Sequence, residues 1–257
     1  MRYVLLVSYD GTHFCGFQKQ KKGERTVQGT LEFVAKEIFG VPTRMSGSGR
    51  TDSGVHAAGQ ICHFDADTAI PAEKLRECFN RLLPPDLKVL ASAAAPEDFD
   101  CTRNAKRKTY VYRAYFAPSE LPLVSRYAVR LTARPNLADM RRAAEILEGE
   151  HDFLAFSSTG SSAKTSIRII YAINIRWLTE GGYTMYEIEV TGSGFLYNMV
   201  RILAGEIFAV GCGKSTENIV KAFEIKERSL IAKTMPACGL TLASVDYGME
   251  LFPPKGE

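Results

Sequence analysis

The sequence predicts a protein of mixed strands and helices, of the α/β or α+β class, and three observations support this prediction. In the first hundred residues, apolar runs with strand propensity alternate with segments of helical spacing. Two alternating runs flank Glu180-Gly181-Gly182, which predicts an antiparallel hairpin in the second half. The composition changes near residues 100–105 to a basic and aromatic stretch. We therefore predict two halves, residues 1–104 and 105–250, and a tail at 251–257, of which residues 254–257 are expected to be disordered.

In the first half, a strand is predicted at residues 3–9, because this apolar run ends at the turn-forming pair Asp10-Gly11. Helical spacing of apolar residues predicts a helix over residues 31–39, with Gly40 as its C-terminal cap. Pro71 is predicted to occupy the first position of a second helix, which Pro84-Pro85 stops. Further strands are predicted around residues 60–64 and 87–95.

In the second half, residues 109–116 have strand propensity, and alternation places Tyr110 and Tyr112 on one face. A helix is predicted from its N-cap Asn136 to Gly149. Strict alternation over residues 167–177 predicts a long half-buried strand, and its hairpin partner follows around residues 186–190. A mostly apolar helix is predicted over residues 195–205, a short helix over 215–223 and a final strand over 240–247.

The composition is that of an ordinary globular protein, with 46% hydrophobic and 24% charged residues among 257. The net charge of +3 neither requires nor excludes a nucleic-acid partner. None of the six cysteines forms a C-x-x-C pair, which argues against a zinc ribbon or a dithiol redox motif. No secretory leader or bilayer-spanning run is visible, so we expect a reduced, cytoplasmic protein that does not enter a membrane.

The glycine-rich loop at residues 47–57 contains Arg50, Asp52 and His56. Glycines allow a backbone to take positive φ and to approach a ligand closely. A carboxylate two residues from a guanidinium on such a loop can be held ionised. A polar turn is the alternative, because Gly, Ser and Asp dominate turns. Composition alone leaves both interpretations open.

Two segments combine basic and aromatic residues as nucleic-acid surfaces do. The first is the loop at residues 10–26, where Phe14 and Phe17 accompany lysines and an arginine. In the alternative interpretation, these phenylalanines fold back into the core. The second segment is residues 103–113, the strongest basic and aromatic cluster in the chain.

Two further charged positions leave alternatives open. Arg201 is the only strong charge between Gly192 and Gly205, so it either has a carboxylate partner or extends to the surface. The stretch Glu150-His151-Asp152 follows a predicted helix. Its histidine and aspartate could form an acid–base pair or a local hydrogen-bonded turn.

Seven stretches, in order along nearly the whole chain, together resemble the TruA family of tRNA pseudouridine synthases. They are residues 9–11 with Phe14 and 16–18, then 25–29, 49–57, 108–112, 149–153, 195–201 and 236–242. The resemblance implies an α+β fold of two similar halves, whose mainly antiparallel sheets join across a central cleft with helices packed on the sheet. It also implies a homodimer that works without a metal or an organic cofactor.

The resemblance further implies conversion of uridine to pseudouridine at positions 38, 39 and 40 of the tRNA anticodon stem-loop. Asp52 would be the catalytic residue, Arg201 its ion-pair partner, and Tyr110 the ring that stacks on the flipped-out target base. Arg50 suits a probe that enters the RNA helix, or a phosphate clamp. The basic residues expected along the RNA backbone are Lys19, Lys21, Lys22, Arg25, Arg103, Lys106, Arg107 and Lys108.

Two other functions would use some of the same residues. A non-catalytic RNA-binding protein with an RRM-like sheet would account for the basic and aromatic residues, but gives no reason for the loop of Arg50 and Asp52. A zinc nucleobase deaminase would need H-x-E followed by P-C-x-x-C. His56 is followed by Ala57-Ala58 instead, and the C-x-x-C pair is absent.

Overall fold

The structure, a computed structural model, describes residues 1–21, 23–160 and 164–252, and it confirms the α+β class. The chain divides into two compact units. Unit 1 comprises Met1–Lys106 and the residues from Leu242 onward, and unit 2 comprises Arg107–Thr241. The division at residue 104 stays a prediction, and residues 253–257 of the predicted tail lie outside the described ranges.

Unit 1 is built on β1 (Arg2–Tyr9), β2 (Ser46–Gly47), β3 (His56–Asp65), β4 (Leu87–Ala95) and the end of β10 (Leu240–Asp246). The strand order is β4-β1-β3-β10, with β2 beside β3. Strand β1 runs antiparallel to both of its neighbours, and Leu5 lies opposite Cys62 on one side and Ser92 on the other. The strands predicted at residues 3–9 and 87–95 are thereby confirmed.

The helices of unit 1 are α1 (Val27–Phe39) and α2 (Leu75–Leu82). Helix α1 ends as predicted, because Gly40 adopts a left-handed φ of 75° at the cap. The predicted start of the second helix was wrong. Pro71 has an extended ψ of 140° and precedes a short 3₁₀ helix, Ala72–Lys74, so the α-helix itself begins at Leu75.

Both faces of the unit 1 sheet are covered, which explains why β1 is a continuous apolar run. On one face, Tyr3 stacks on Phe64 with ring centroids 5.6 Å apart, and the α1 residue Phe39 lies 5.7 Å from the same ring. On the other face, Val4 belongs to a buried cluster that includes Tyr247. Residues from both ends of the chain therefore complete the core of unit 1.

Unit 2 is built on β5 (Arg107–Phe116), β6 (Val129–Leu131), β7 (Gly149–Asp152), β8 (Ile167–Glu180) and β9 (Tyr183–Gly192). Antiparallel neighbours follow the order β5-β9-β8-β7, and β6 pairs in parallel with β5. The predicted hairpin is confirmed, with Glu180 opposite Tyr183. The buried face predicted from strict alternation over residues 167–177 is wrong at three positions. Ile167 and Trp177 are exposed, and a register shift between Ile170 and Ala172 leaves Tyr171 exposed as well.

The helices of unit 2 are α3 (Leu137–Leu147), α4 (Met199–Gly211) and α5 (Glu217–Ile225). Asn136 caps α3 as predicted, by accepting from the N–H groups of Ala138 and Asp139. Helix α4 begins four residues later than predicted, because Asn198 has a left-handed φ of 61° just before Met199. The helix ends at Gly211. Within the described ranges, none of the helices is both long and apolar enough to cross a bilayer.

Candidate functional site

In unit 1, the loop of residues 47–57 is held against the segment that follows β1. The N–H of Phe17 donates to the carbonyl of Thr51 over 3.0 Å, and the N–H of Gly54 donates to the carbonyl of Phe14 over 3.3 Å. The hydroxyl groups of Tyr9 and Thr51 lie 2.8 Å apart and are hydrogen-bonded. Within the loop, the N–H of Val55 donates to the carbonyl of Asp52. The backbone on both sides of Asp52 is therefore fixed.

Two glycines make this close approach of the segments geometrically feasible. A Cβ atom on Gly11 would lie 2.0 Å from the carbonyl oxygen of Val55, well inside van der Waals contact. Gly16 has a φ of 85°, and a Cβ there would lie 2.9 Å from the carbonyl oxygen of Thr51. The Gly residues of the segment at 10–17 are thus needed for the shape of the loop that carries Asp52.

A buried polar network anchors the start of the same loop to β3. The Ser48 hydroxyl is hydrogen-bonded to the side-chain oxygen of Gln60, and both residues are fully buried. The amide of Gln60 also donates to the carbonyl of Gly49 over 2.7 Å. Buried polar groups satisfied in this way favour one conformation. The loop is therefore more than a solvated polar turn; it presents Arg50 exposed and Asp52 half-buried.

His56 connects the end of the loop to the turn after β1. Its side chain is buried, and its Nδ1 accepts a hydrogen bond from the N–H of Gly11 over 3.0 Å. The carboxylate of Asp10 lies 3.2 Å from the same nitrogen. Asp10 also accepts from the N–H of Thr12, so it orders the turn on which His56 rests.

The phenylalanines of the loop at residues 10–26 are buried, as the alternative interpretation of that loop predicts. The guanidinium carbon of Arg25 lies 4.1 Å from the ring centroid of Phe14. Arg25 also forms two hydrogen bonds with Asp86, of 2.8 and 2.7 Å, which lower the pKa of that carboxyl. The Lys19 ammonium is paired with Glu32 over 2.9 Å.

The other basic residues predicted to contact RNA lie in both units. In unit 1, Lys21, Arg103 and Lys106 are exposed, and Arg103 lies 3.3 Å from the carboxylate of Asp100. In unit 2, Arg107 is exposed and its guanidinium carbon lies 4.8 Å from the ring centroid of Tyr171. Lys108 is half-buried on β5, and Lys22 lies outside the described residues.

Tyr110 lies on β5 of unit 2, opposite Val190 on β9. Its ring meets the edge of Phe195 at a centroid distance of 5.2 Å and an interplanar angle of 88°. Tyr112 is also buried, as expected for two residues on one face of a strand, and its hydroxyl donates to the carbonyl of Pro236. Burial raises the pKa of the Tyr112 phenol.

Arg201 lies in the first turn of α4, and hydrogen bonds fix its side chain. Its Nε donates to the carbonyl of Met235 over 2.7 Å, and its Nη1 donates to Oδ1 of Asn198 over 2.6 Å. Asn198 in turn donates to the hydroxyl of Ser158 over 2.9 Å. Asn198 was not predicted as a site residue from the sequence. Asparagine is one of the few residues other than glycine that favour the left-handed conformation, so it could have been recognised as a helix boundary.

The predicted site residues are thus distributed between the units. Arg50 and Asp52 share one loop of unit 1, whereas Tyr110 and Arg201 lie on β5 and α4 of unit 2. The stretch Glu150–Asp152 forms part of β7, where the His151 ring stacks on Phe223. Among the residues that the structure describes, no group of three or more His, Cys, Asp or Glu side chains could hold a metal ion.

Comparison with known proteins identifies the family. A family model described as tRNA pseudouridine synthase matches residues 5–102 and 143–248. Relatives called tRNA pseudouridine synthase A are 38% identical in Ruminiclostridium cellulolyticum (95% of this chain, 98% of the relative) and 40% identical in Caldicellulosiruptor bescii (96% and 100%). The match to a chain in a solved archaeal box H/ACA Nop10–Cbf5 complex covers 92% of this chain and 59% of that chain. Its sequence identity is 13% and its TM-score is 0.35, and both are too low to bear on the fold. On the family model and these relatives, the chain belongs to the tRNA pseudouridine synthase family.

Proposed function

We propose that this chain isomerises uridine to pseudouridine at positions 38, 39 and 40 of the tRNA anticodon stem-loop, with Asp52 as the catalytic carboxylate. Membership of the family makes the chain an isomerase that acts on tRNA, and it decides against the RRM-like binding protein and the zinc deaminase. The positions within the tRNA rest on the resemblance described above. The role of Asp52 rests on that resemblance and on the geometry of its loop.

The observation that favours Asp52 most is the contrast between its rigid backbone and its accessible side chain. Its neighbours Thr51 and Gly54 are hydrogen-bonded to the segment after β1, while the Asp52 side chain is only half-buried. A reacting group must be held in position and still be reached by substrate. Arg50, exposed on the same loop, has a charge suited to a phosphate or to the gap left by a flipped nucleotide.

The reaction breaks the C1′–N1 bond, turns the uracil and joins its C5 to C1′. The C5 proton is released and N1 gains one, so the atoms balance without an oxidant or reductant. An ionised carboxylate can act as a nucleophile toward the base or toward C1′, or as a base at the sugar. Each of these roles requires Asp52 to be ionised while substrate excludes water from it.

We propose that Arg201 supplies the positive charge that keeps Asp52 ionised. Arg201 is half-buried in a helix whose other residues near it are apolar, a setting that favours an ionic partner. An opposite charge within hydrogen-bond distance favours the ionised carboxylate. Arg201→Met should therefore move the acidic limb of the pH–rate profile to higher pH, whereas Arg201→Lys should restore part of the original profile.

Tyr110 is proposed to stack on the target base once that base has left the helix, an interaction worth about 1–3 kcal/mol per base. The RNA backbone would follow the basic residues of both units, namely Lys19, Lys21, Lys22, Arg25, Arg103, Lys106, Arg107 and Lys108. We also propose a homodimer, to be tested by light scattering of the purified chain, and a cytoplasmic location, where tRNA is modified.

The decisive experiment measures tritium release from C5-tritiated uridine in an unmodified tRNA transcript. Asp52→Asn should reduce release by about a thousandfold or more while tRNA binding stays within a few fold of the wild type. Asp67→Asn removes an exposed carboxylate elsewhere in unit 1 and should leave both unchanged. Wild-type release by Asp52→Asn would refute the catalytic role. Pseudouridine mapped outside positions 38–40 would refute the proposed site.

A further inference from the structure

An open pocket of about 750 Å³ lies within unit 2, a size that accommodates small ligands. Its wall is rich in hydroxyl groups, which belong to Ser157, Ser158, Thr159, Thr165 and Ser166. The Ser157 hydroxyl already donates to the carbonyl of Leu154 and that of Ser166 is hydrogen-bonded to the Asp152 carboxylate, so the other three are the candidates to donate to an oxyanion. All five belong to the described parts of the segment between β7 and β8, residues for which the isomerisation chemistry gives no role.

Three basic residues, Lys164, Lys226 and Arg228, line the same pocket. Lys226 is paired with the carboxylate of Asp152 over 2.6 Å, so part of its charge is compensated. Arg228 differs, because its hydrogen bonds go to the carbonyl of Ile231 and the hydroxyl of Thr234. Lys164 is exposed. Within the described part of the chain, neither Lys164 nor Arg228 has a carboxylate within ion-pair distance.

Arg168 is a second half-buried arginine that has no carboxylate within ion-pair distance in the described ranges. It is hydrogen-bonded to Thr165, a residue of the pocket wall. Nη1 of Arg168 donates to the carbonyls of Thr165 and Ile167 and to the hydroxyl of Thr165. Burial lowers the pKa of both Arg168 and Arg228. Of the two, Arg228 lines the pocket, whereas Arg168 lies behind it. The charge of Glu206 acts on Arg228, but no carboxylate of the described residues pairs with it at close range, and a partly buried guanidinium in this setting favours an anionic ligand.

We infer that this pocket binds backbone phosphate groups of the RNA substrate, through Lys164, Arg228 and the hydroxyl groups of its wall. Guanidinium, ammonium and hydroxyl groups together match the oxygens of a phosphodiester. The pocket is also linked to the proposed catalytic machinery, because Ser158 accepts from Asn198, which accepts from Arg201. The inference rests on the proposed function for the identity of the RNA.

Binding should be measured with the full chain and a synthetic anticodon arm that carries cytidine at positions 38–40, so that turnover does not intervene. Lys164→Gln and Arg228→Gln should each weaken binding by about three- to tenfold at low salt. Each should also reduce the slope of log affinity against log salt by about 0.7–0.9 for every phosphate that the variant no longer neutralises. Arg228→Lys should retain the slope. Lys221→Gln, an exposed lysine of α5 outside the pocket, should behave as wild type.

Single methylphosphonate substitutions in the RNA identify the phosphate that is bound. At one or two positions, the neutral linkage should weaken binding to the wild type but have little further effect on Lys164→Gln or Arg228→Gln. Additive losses at every position would overturn the inference. A second result would also overturn it. If inorganic phosphate bound in a way that depends on Lys164 and Arg228, while neither variant changed the effect of any methylphosphonate in the RNA, the pocket would be a site for free anions. Tritium release, measured separately on uridine-containing tRNA, tests the proposed function independently.

Discussion

Asn198 and Arg201 are joined by a hydrogen bond of 2.6 Å from the guanidinium Nη1 to the carboxamide oxygen. The left-handed φ of 61° at Asn198 ends the preceding loop and starts α4 at Met199. The other end of the carboxamide donates to Ser158. Asn198 thus connects the start of a helix, the direction of Arg201 and the wall of the pocket that contains Ser158.

Asn198→Gly should lower kcat by about tenfold with a smaller change in KM, because Arg201 loses an acceptor that holds its guanidinium in place. Glycine adopts the left-handed conformation without strain, so the fold should be retained. Steady-state kinetics on tRNA, with thermal melting as a measure of folding, checks this. Asn198→Ala should lose the same activity and melt lower than Asn198→Gly, because alanine is strained at this φ. Equal activity of Asn198→Gly and the wild type would rule out this positioning role.

Gly11→Ala should displace the turn at residues 52–55 and abolish most of the activity. The new methyl group would lie 2.0 Å from the carbonyl oxygen of Val55, a clash that only a backbone shift can relieve. We expect a stability loss of about 1–3 kcal/mol as well. Gly40→Ala is a useful control, because it meets no atom within 4 Å but is strained by its φ of 75°. It should lower stability while leaving the activity of the folded protein unchanged. If Gly11→Ala kept full activity, as Gly40→Ala is expected to do, the close packing at Gly11 would not be needed for the shape of the loop.

Lys214→Met should destabilise unit 2 by about 3–5 kcal/mol, because it leaves the fully buried carboxylate of Glu206 without its counter-ion. Glu206 accepts from the Lys214 ammonium and from the N–H of Ala232, both over 2.7 Å. Its other oxygen has no hydrogen-bond partner among the described residues. Urea denaturation should show that Glu206→Leu combined with Lys214→Met costs less than Lys214→Met alone. A larger loss in the double variant would contradict the ion-pair explanation.

Unit 1 should lose a stabilising contribution in acid through the pair of Arg25 and Asp86. Hydrogen bonds from Arg25 lower the folded-state pKa of Asp86 below its unfolded value of about 3.9. The contribution is therefore complete above that unfolded value and is lost as the pH falls through the folded pKa. It should amount to at most about 1 kcal/mol, because the Arg25 side chain is 40% exposed. Denaturation at pH 7 and pH 3 should show a smaller acid loss for Asp86→Asn. An identical loss in both proteins would disprove the assignment.

The sequence predicts best those features that local residues determine. Gly40 and Asn136 mark helix ends by their own backbone and side-chain chemistry, and both were located correctly. The hairpin around Gly181 follows from a turn and two alternating strands. The start of α2 was missed because Pro71 fits an extended segment as well as a first helical turn, and packing of Leu75 and Phe79 decides where the helix begins.

The sequence predicted which loop carries the candidate site, but not which distant segments that loop contacts. The glycine-rich pattern marked Arg50 and Asp52 as candidates and the family resemblance gave them expected roles, yet the contact of Gly11 with Val55 joins segments that are 44 residues apart. Likewise, Arg168 and Arg228 look like ordinary surface charges in the sequence. Their common lack of a carboxylate partner within the described ranges emerges only once their hydrogen bonds are known. Long-range contacts of this kind have no local pattern.

The late return of the chain to unit 1 has a consequence for biosynthesis. Strand β3 obtains its neighbour β10, and Phe99 its partner Tyr247, only after all of Arg107–Thr241 has been made. At roughly 5–20 residues per second, that interval is on the order of ten seconds. During it, the nascent first unit exposes an unpaired strand edge and an incomplete apolar layer. Nonsense mutations in the codons for residues 242–247 would therefore damage the unit that is translated first.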